Sequence, residues 1–306
     1  MDLRQELGSL KDQLNFMEEV AVPEGTANVV IAGMGGSGIA GRIFQELYSG
    51  RPVVIDDDYA APSFVSKSTL FIAISYSGNT EEVLSSTAQA RARGAHVVTI
   101  SAGGKLHGQG DQNIRIPRSD MQPRSVTGYM IMPLLRGFGM ASDEEIEGSR
   151  SLLDSLDRDN VECLAHARAI MEGSCIPVIY GSHPYKAVAY RWKTQFNENA
   201  KVIGYSSSFP ELNHNDTMAI AQTYLKERFY FMVFGSGSER ISKRISVTER
   251  ITGSQFRIIE PKGRTDTERM FYLLHYGDYV SYHLGVLRGV DPTDVSLIER
   301  LKREIG

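Results

Sequence analysis

Asn28-Val-Val-Ile-Ala-Gly-Met-Gly-Gly-Ser-Gly38 is the stretch that decides how this chain folds. It begins as a short apolar, β-branched run, the pattern of a strand buried on both faces of a parallel sheet. Glycines stop the run, and a helix-patterned segment follows from about Ile39 to Leu47. The alternation continues outward. Strands are expected at Val53–Asp56, Leu70–Ser75 and His96–Ser101, with a weaker one at Asn113–Pro117. Helices are expected at about Glu81–Arg93 and Val126–Met140. Strands alternating with helices imply βαβ units and a doubly wound parallel sheet.

A helix is also expected from Asp2 to about Glu19, ahead of the first strand. The acidic, polar stretch Ala141–Gly148 reads as a linker, followed by one charged helix from about Ser149 to Glu172. The pattern then restarts with strand Ile176–Gly181, helix Tyr185–Asn199, strand Phe229–Phe234, helix Glu239–Thr252 and strand Phe256–Glu260. Helices at about Thr267–Arg288 and Pro292–Glu304 close it. Val30-Ile-Ala-Gly33 and Val178-Ile-Tyr-Gly181 are matching glycine-ended strands, which points to duplication of one α/β unit. The expected division is 1–145 and 146–306.

A length of 306 residues suits about two domains at roughly 150 residues each. A net charge of −4 argues against a nucleic-acid partner held by bulk basicity, because counterion release needs clustered Lys and Arg. The two cysteines, Cys163 and Cys175, form no C-x-x-C motif, so neither a disulfide scaffold nor a cysteine-rich zinc site is expected. The N-terminus lacks a basic start and apolar run. No apolar run approaches the roughly 18 residues of a membrane span. The expected location is the cytoplasm, with no membrane partner.

Gly33-Met-Gly-Gly-Ser-Gly38 fits G-x-G-x-x-G between a strand and a helix, and Asp56 ends the next strand. That allows a dinucleotide site, in which an acid about 20 residues on holds a ribose. It equally allows a small-molecule phosphate cradle, since free N–H groups at a helix start bind anions. The third strand separates the two. Ser75-Tyr-Ser-Gly-Asn-Thr80 presents three hydroxyls at a second helix start, and in a parallel sheet both loops open on the same edge. Two such loops suit a compact phosphate monoester, ringed by Gly35, Gly36, Ser37, Ser75, Ser77 and Thr80, better than a dinucleotide.

GMGGSG followed by SYSGNTEE is similar to the sugar isomerase (SIS) domain, a sugar-phosphate-binding α/β unit. Met121-Gln-Pro-Arg-Ser125, the segment Arg191-Trp-Lys-Thr-Gln-Phe-Asn-Glu-Asn-Ala-Lys201, Phe209-Pro-Glu-Leu-Asn-His-Asn215 and Gly285-Val-Leu-Arg-Gly-Val-Asp-Pro292 resemble the bifunctional phosphoglucose/phosphomannose isomerases of archaea and some bacteria. The resemblance runs from about Gly33 to Lys302. It implies two doubly wound, flavodoxin-like SIS units. The implied activity is aldose–ketose isomerisation of glucose 6-phosphate, and of mannose 6-phosphate, with fructose 6-phosphate in central carbohydrate metabolism. It calls for no cofactor and no metal.

Such a reaction moves a proton between adjacent carbons through a cis-enediol(ate), which needs a carboxylate or imidazole at the C1–C2 edge. The resemblance gives that role to Glu198, between Asn197 and Asn199. Ring opening suits a histidine. The residues alone leave His183 and His214 open; the resemblance selects His214, assisted by Lys302. It gives Arg124 the task of steadying the developing enediolate charge. It also implies a homodimer in which His214 reaches across the two-fold interface. One departure is Val295, where these enzymes can carry a threonine that helps place the sugar; Thr293 and Ser296 lie beside it as substitutes. A non-catalytic SIS sugar-phosphate sensor is the alternative, since it would need the two anion loops but not Glu198, His214 and Lys302 together.

Overall fold

The β-branched run at Asn28 becomes the second position of a five-stranded sheet. A computed structural model describes residues 2–222 and 224–305. The elements in chain order are α1 (Leu3–Gly8), α2 (Leu10–Gln13), β1 (Asn28–Ala32), α3 (Gly35–Leu47), β2 (Val53–Asp56), β3 (Thr69–Ile74), α4 (Glu81–Ala92), β4 (His96–Ser101), β5 (Gln112–Arg115), α5 (Thr127–Gly137), α6 (Asp143–Arg158) and α7 (Val161–Glu172). Then come β6 (Ile176–Gly181), α8 (Lys186–Asn199), β7 (Tyr205–Ser208), α9 (Asp216–Gln222), β8 (Phe229–Phe234), α10 (Glu239–Thr252), β9 (Phe256–Ile259), α11 (Asp266–Leu287) and α12 (Ser296–Ile305). Two compact units emerge. One comprises residues 8–154 and 263–269; the other comprises 2–7, 155–262 and Met270 onward.

In the first unit the strand order is β2-β1-β3-β4-β5, all parallel. Ile31 pairs with Ile55 on one side and Ile72 on the other. Val30, Ala32, Phe71 and Ala73 pack with Val83 and Ala90 of α4 on one face. Fully burying such a side chain contributes about 1.5–3 kcal/mol, and every residue of β3 is buried. The chain moves from β1 outward to β2, then returns to β3 on the other flank. That reversal opens a crevice at the carboxyl ends of β1 and β3, where ligands bind in doubly wound sheets.

The second unit repeats the plan with one strand fewer, in the order β7-β6-β8-β9, again parallel. Val178, Tyr180, Phe209, Phe231, Val233 and Phe256 form its core on one face. The expected doubly wound class is therefore present twice. β7, the short 3₁₀ turn Glu211–His214 and α9 follow α8 where no element was expected. The strand is polar, Tyr-Ser-Ser-Ser, and lies at the sheet edge, so it lacks the apolar pattern of a buried strand.

Three expectations about the linking regions are corrected. The stretch expected as a linker is the start of α6. Ser142 Oγ accepts the Glu145 N–H at 3.2 Å, and a Glu145 carboxylate oxygen accepts the Ser142 N–H at 3.1 Å. This is a capping box, with acids clustered at the positive end of the helix dipole. The single helix expected to Glu172 is two, separated at Asp159-Asn160. The single helix expected from Asp2 to about Glu19 is two short ones, α1 and α2, and helix ends at Gln13 because the backbone beyond it serves α5: Phe16 C=O accepts Arg136 Nε at 3.0 Å, and Val20 N–H donates to Pro133 C=O at 3.0 Å.

Candidate active site

In the first unit, α3 opens inside the glycine stretch. Ser37 and Gly38 donate their N–H groups to Met34 C=O at 3.0 and 3.2 Å. The N–H groups of Gly35 and Gly36 stand ahead of any carbonyl one helical turn back, so they are the donors this helix start offers an anion. The neighbouring loop after β3 is tied to them, because Ser37 Oγ accepts the Tyr76 N–H at 3.4 Å.

The loop after β3 is built around Ser75. Its hydroxyl pairs with Thr80 Oγ1 at 2.8 Å and accepts the Gly78 N–H at 3.1 Å. Thr80 occupies the N-cap position of α4 yet makes no side-chain cap bond, so its hydroxyl belongs to the loop. Ser77 Oγ accepts the Asn79 N–H at 3.2 Å and is exposed. Gly78 has φ +68°, and a Cβ there would stand 1.8 Å from Gly103 O. The turn after β4 thus buttresses this loop from behind, helped by Leu106 N–H bonding Gly78 C=O at 2.9 Å.

Arg124 reaches the same place by a different route. It sits in the 3₁₀ turn Pro123–Ser125 ahead of α5, buried, with Nη1 donating to Gln122 Oε1 at 3.2 Å. A Cβ on Gly36 would meet Arg124 Cα at 3.2 Å, so the turn lies directly against the glycine loop. The first unit therefore gathers Gly35, Gly36, Ser37, Ser75, Ser77, Thr80 and Arg124 at one edge of its sheet. Asp56, which a dinucleotide reading would aim at a ribose, is buried at the end of β2; desolvation raises its carboxyl pKa, against the Ser86 hydrogen bond that lowers it.

The second unit holds the remaining candidates. Glu198 is on the last turn of α8, partly exposed. Asn197 Oδ1 accepts the Gly204 N–H at 3.1 Å, and Asn199 Nδ2 donates to Ser281 Oγ at 3.0 Å, so both flanking amides are spent on structure. Lys201 Nζ caps the helix end, bonding Glu198 C=O at 2.5 Å and Asp294 C=O at 2.8 Å. That bond brings the segment preceding α12 to the end of α8.

His183 and His214 both stand at the carboxyl edge of the second sheet, after β6 and β7, and both are exposed. The His214 turn is anchored by buried Leu212 and by Asn213 Nδ2 bonding Thr248 Oγ1 at 2.7 Å. Lys302 is on α12, every residue of which is exposed. Val295 precedes α12. The hydroxyls expected to substitute for a threonine there are engaged: Thr293 Oγ1 donates to Asp291 Oδ1 at 2.7 Å, and Ser296 bonds the Asp294 carboxylate, holding that carboxyl below its usual range.

The duplication extends to topology but not to the anion loops. The loop after β8, Gly235-Ser236-Gly237-Ser238, keeps two hydroxyls, but a Cβ on Gly235 would meet a Glu260 carboxylate oxygen at 2.3 Å, so an acidic side chain lies against it. After β6 the loop is Ser182-His183-Pro184-Tyr185, without glycines. Sequence reading missed the supports of the first-unit loops: the Tyr76 N–H, Asn79, whose Oδ1 accepts the Lys105 N–H at 3.1 Å, and the Gly103-Gly104 turn. The glycine pair after β4 was the one available sign.

The SIS domain family matches residues 26–132, and the bacterial phospho-glucose isomerase C-terminal SIS domain family matches 163–305. A bifunctional phosphoglucose/phosphomannose isomerase of Thermoplasma acidophilum is 54% identical over 100% of this chain and 98% of its own length. One from Aquifex aeolicus is 33% identical over 90% of each. Among solved structures, a glucosamine-6-phosphate deaminase from Thermotoga maritima shares the fold at TM-score 0.72 and 16% identity, over 95% of this chain and 94% of that one.

Proposed function

The chain belongs to the bifunctional phosphoglucose/phosphomannose isomerase family, and on that basis we propose that it interconverts glucose 6-phosphate, and also mannose 6-phosphate, with fructose 6-phosphate. The observation that carries the reading is the bond between the two loops, Ser37 Oγ to Tyr76 N–H, beside the Ser75–Thr80 hydroxyl pair. It supports a compact anion cradle at two helix starts. The cradle fits one phosphate monoester, held by the Gly35 and Gly36 N–H groups and by the hydroxyls of Ser37, Ser75, Ser77 and Thr80.

In this reading His214, assisted by Lys302, moves a proton between the ring oxygen and the anomeric hydroxyl, opening the sugar. Glu198 then takes the C2 proton of the aldose. The carbon's electron pair passes into the C1–C2 bond as the aldehyde oxygen gains negative charge. Arg124 stabilises that enediolate; the C2 hydroxyl proton passes to O1, and as the C2 carbonyl forms the C1–C2 electron pair takes the proton back from Glu198 at C1, completing the ketose. Accepting both epimers requires C2 to be deprotonated in either configuration, and Val295 in place of a threonine leaves more of that task to the looseness of the site.

The enzyme is proposed to act in the cytoplasm as a homodimer, with His214 supplied across the interface. Inactive Glu198→Ala and His214→Ala chains, mixed, then regain activity through hybrid sites; no recovery places each site within one chain. The function itself is tested by incubating the protein with fructose 6-phosphate and scoring glucose 6-phosphate and mannose 6-phosphate separately. Formation of both supports the proposal. Binding without formation of either is the behaviour of a sugar-phosphate sensor and refutes it.

A further inference from the structure

The helix that carries Glu198 is held along one face by a buried polar clamp. Arg191, Gln195 and Asn199 are spaced four apart on α8 and so share a face; each is at most 1% exposed. Asp278 on α11 accepts Arg191 Nη2 on both carboxylate oxygens, at 3.1 and 3.0 Å, and Gln195 Nε2 at 2.8 Å. Further along, Ser281 Oγ accepts Asn199 Nδ2 at 3.0 Å and donates to Asp278 C=O at 2.9 Å. Trp192 Nε1 donates to Leu273 C=O at 2.8 Å. At the Glu198 end, Gly285 lets α11 come so close that a Cβ would stand 2.5 Å from Asn199 O.

Adhesion alone does not call for this arrangement. A buried ion pair loses in desolvation much of what it gains in attraction, and a well-packed apolar interface of the same volume is often as stable. The polar clamp differs in what it specifies. Apolar side chains tolerate small slides along a helix, whereas a carboxylate shared by Arg191 and Gln195 is satisfied at one displacement. A slip of one residue, about 1.5 Å of rise, would leave Asp278 buried without its donors, which is strongly unfavourable.

We propose that Asp278 is a positioning residue for the proton-transfer step: by bonding Arg191 and Gln195 it sets the axial register of α8, and so the place where Glu198 presents its carboxylate. The proposal rests on the reading of Glu198 as the base. Displacing a catalytic group by about 1 Å can lower the rate by about a hundredfold, so a clamp accurate to less than that acts on turnover rather than on substrate affinity.

The test uses the full chain with glucose 6-phosphate. Asp278→Asn keeps the side chain's shape and removes its charge. The expected result is a folded protein whose kcat falls by about tenfold or more with KM little changed, and whose primary isotope effect with 2-deuterated glucose 6-phosphate rises because proton transfer has become more limiting. A folded Asp278→Asn protein with unaltered kcat and isotope effect overturns the proposal. Should that variant fail to fold, Gln195→Met and Gly285→Ala decide. Each disturbs the clamp without removing the Asp278 charge, and a lowered kcat at constant KM supports the proposal while unchanged kcat overturns it. Glu198→Gln is measured alongside. Retained turnover there removes the base assignment, and the positioning role with it; lost turnover there with an unaffected Asp278→Asn removes only the positioning role.

Discussion

Gly78→Ala tests the anion loops most directly. Gly78 carries φ +68°, where an alanine costs about 1–2 kcal/mol of backbone strain. Its added methyl would start 1.8 Å from Gly103 O and 2.7 Å from Gly103 C. Reaching even the tightest real contact requires the loop to move by more than about 1 Å, because packed interiors have no spare space to absorb the atom. Gly104 opposite cannot yield easily, since it already lies close under the Ser77 and Gly78 backbone. The shift falls on the segment that holds the Ser75–Thr80 pair. A displacement near 1 Å corresponds to about a hundredfold loss of kcat/KM, or about 2.7 kcal/mol. The coupled fructose 6-phosphate assay should find most of it as a raised KM. Gly25→Ala is the control: its φ is +78° and nothing lies within 4 Å of the new methyl, so it should cost about 1 kcal/mol of stability and leave KM alone. A folded Gly78→Ala protein with the parent KM would refute the placement of the phosphate.

Glu198→Gln should lower kcat by about 10²–10⁴-fold with substrate binding retained, measured by steady-state kinetics and by competition with inorganic phosphate; near-parent kcat would exclude a base role. Burial holds the His283 imidazole below its ordinary pKa of 6.5, with Arg4 and Arg168 adding to the effect. Burial also lowers His166, against the opposing charge of Glu162. Both rings are thus kept neutral in the fold while the unfolded chain takes up protons, so their stabilisation is complete above about pH 6.5 and is lost as pH falls through the depressed values. Thermal midpoints should be level near pH 7–8 and decline toward pH 5, less steeply in His283→Gln; a level profile to pH 5 in the parent protein refutes this. Ser142→Ala removes the capping box of α6 and should cost about 1 kcal/mol in denaturant unfolding with unchanged kcat; an unaltered midpoint would deny the cap its role.

The central strands β1, β3, β6 and β8 were legible because each is a short apolar run, and burial on both faces leaves no other pattern, whereas the polar edge strand β7 offered none. Phe229–Phe234 and Glu239–Thr252 stand where periodicity puts them. The anion loops were legible too, since glycines and hydroxyls at a strand–helix junction have few other uses. The acidic stretch after Ala141 was misread because acids suit both a solvated linker and a capped helix start; the Ser142–Glu145 spacing distinguishes the two.

Other features depend on residues far apart in the chain. That Gly78 leans on Gly103, that Arg124 lies against Gly36, and that Asp278 serves Arg191 and Gln195 are matters of packing between elements whose separation no local pattern encodes. Periodicity reports which face of a helix is buried. It does not report which partner a buried charge meets, because that partner is chosen by how the chain returns. Composition and local pattern thus specified the parallel sheets and the hydroxyl-lined turns, while the close approach of distant segments settled how firmly those turns, and the helix bearing Glu198, are held.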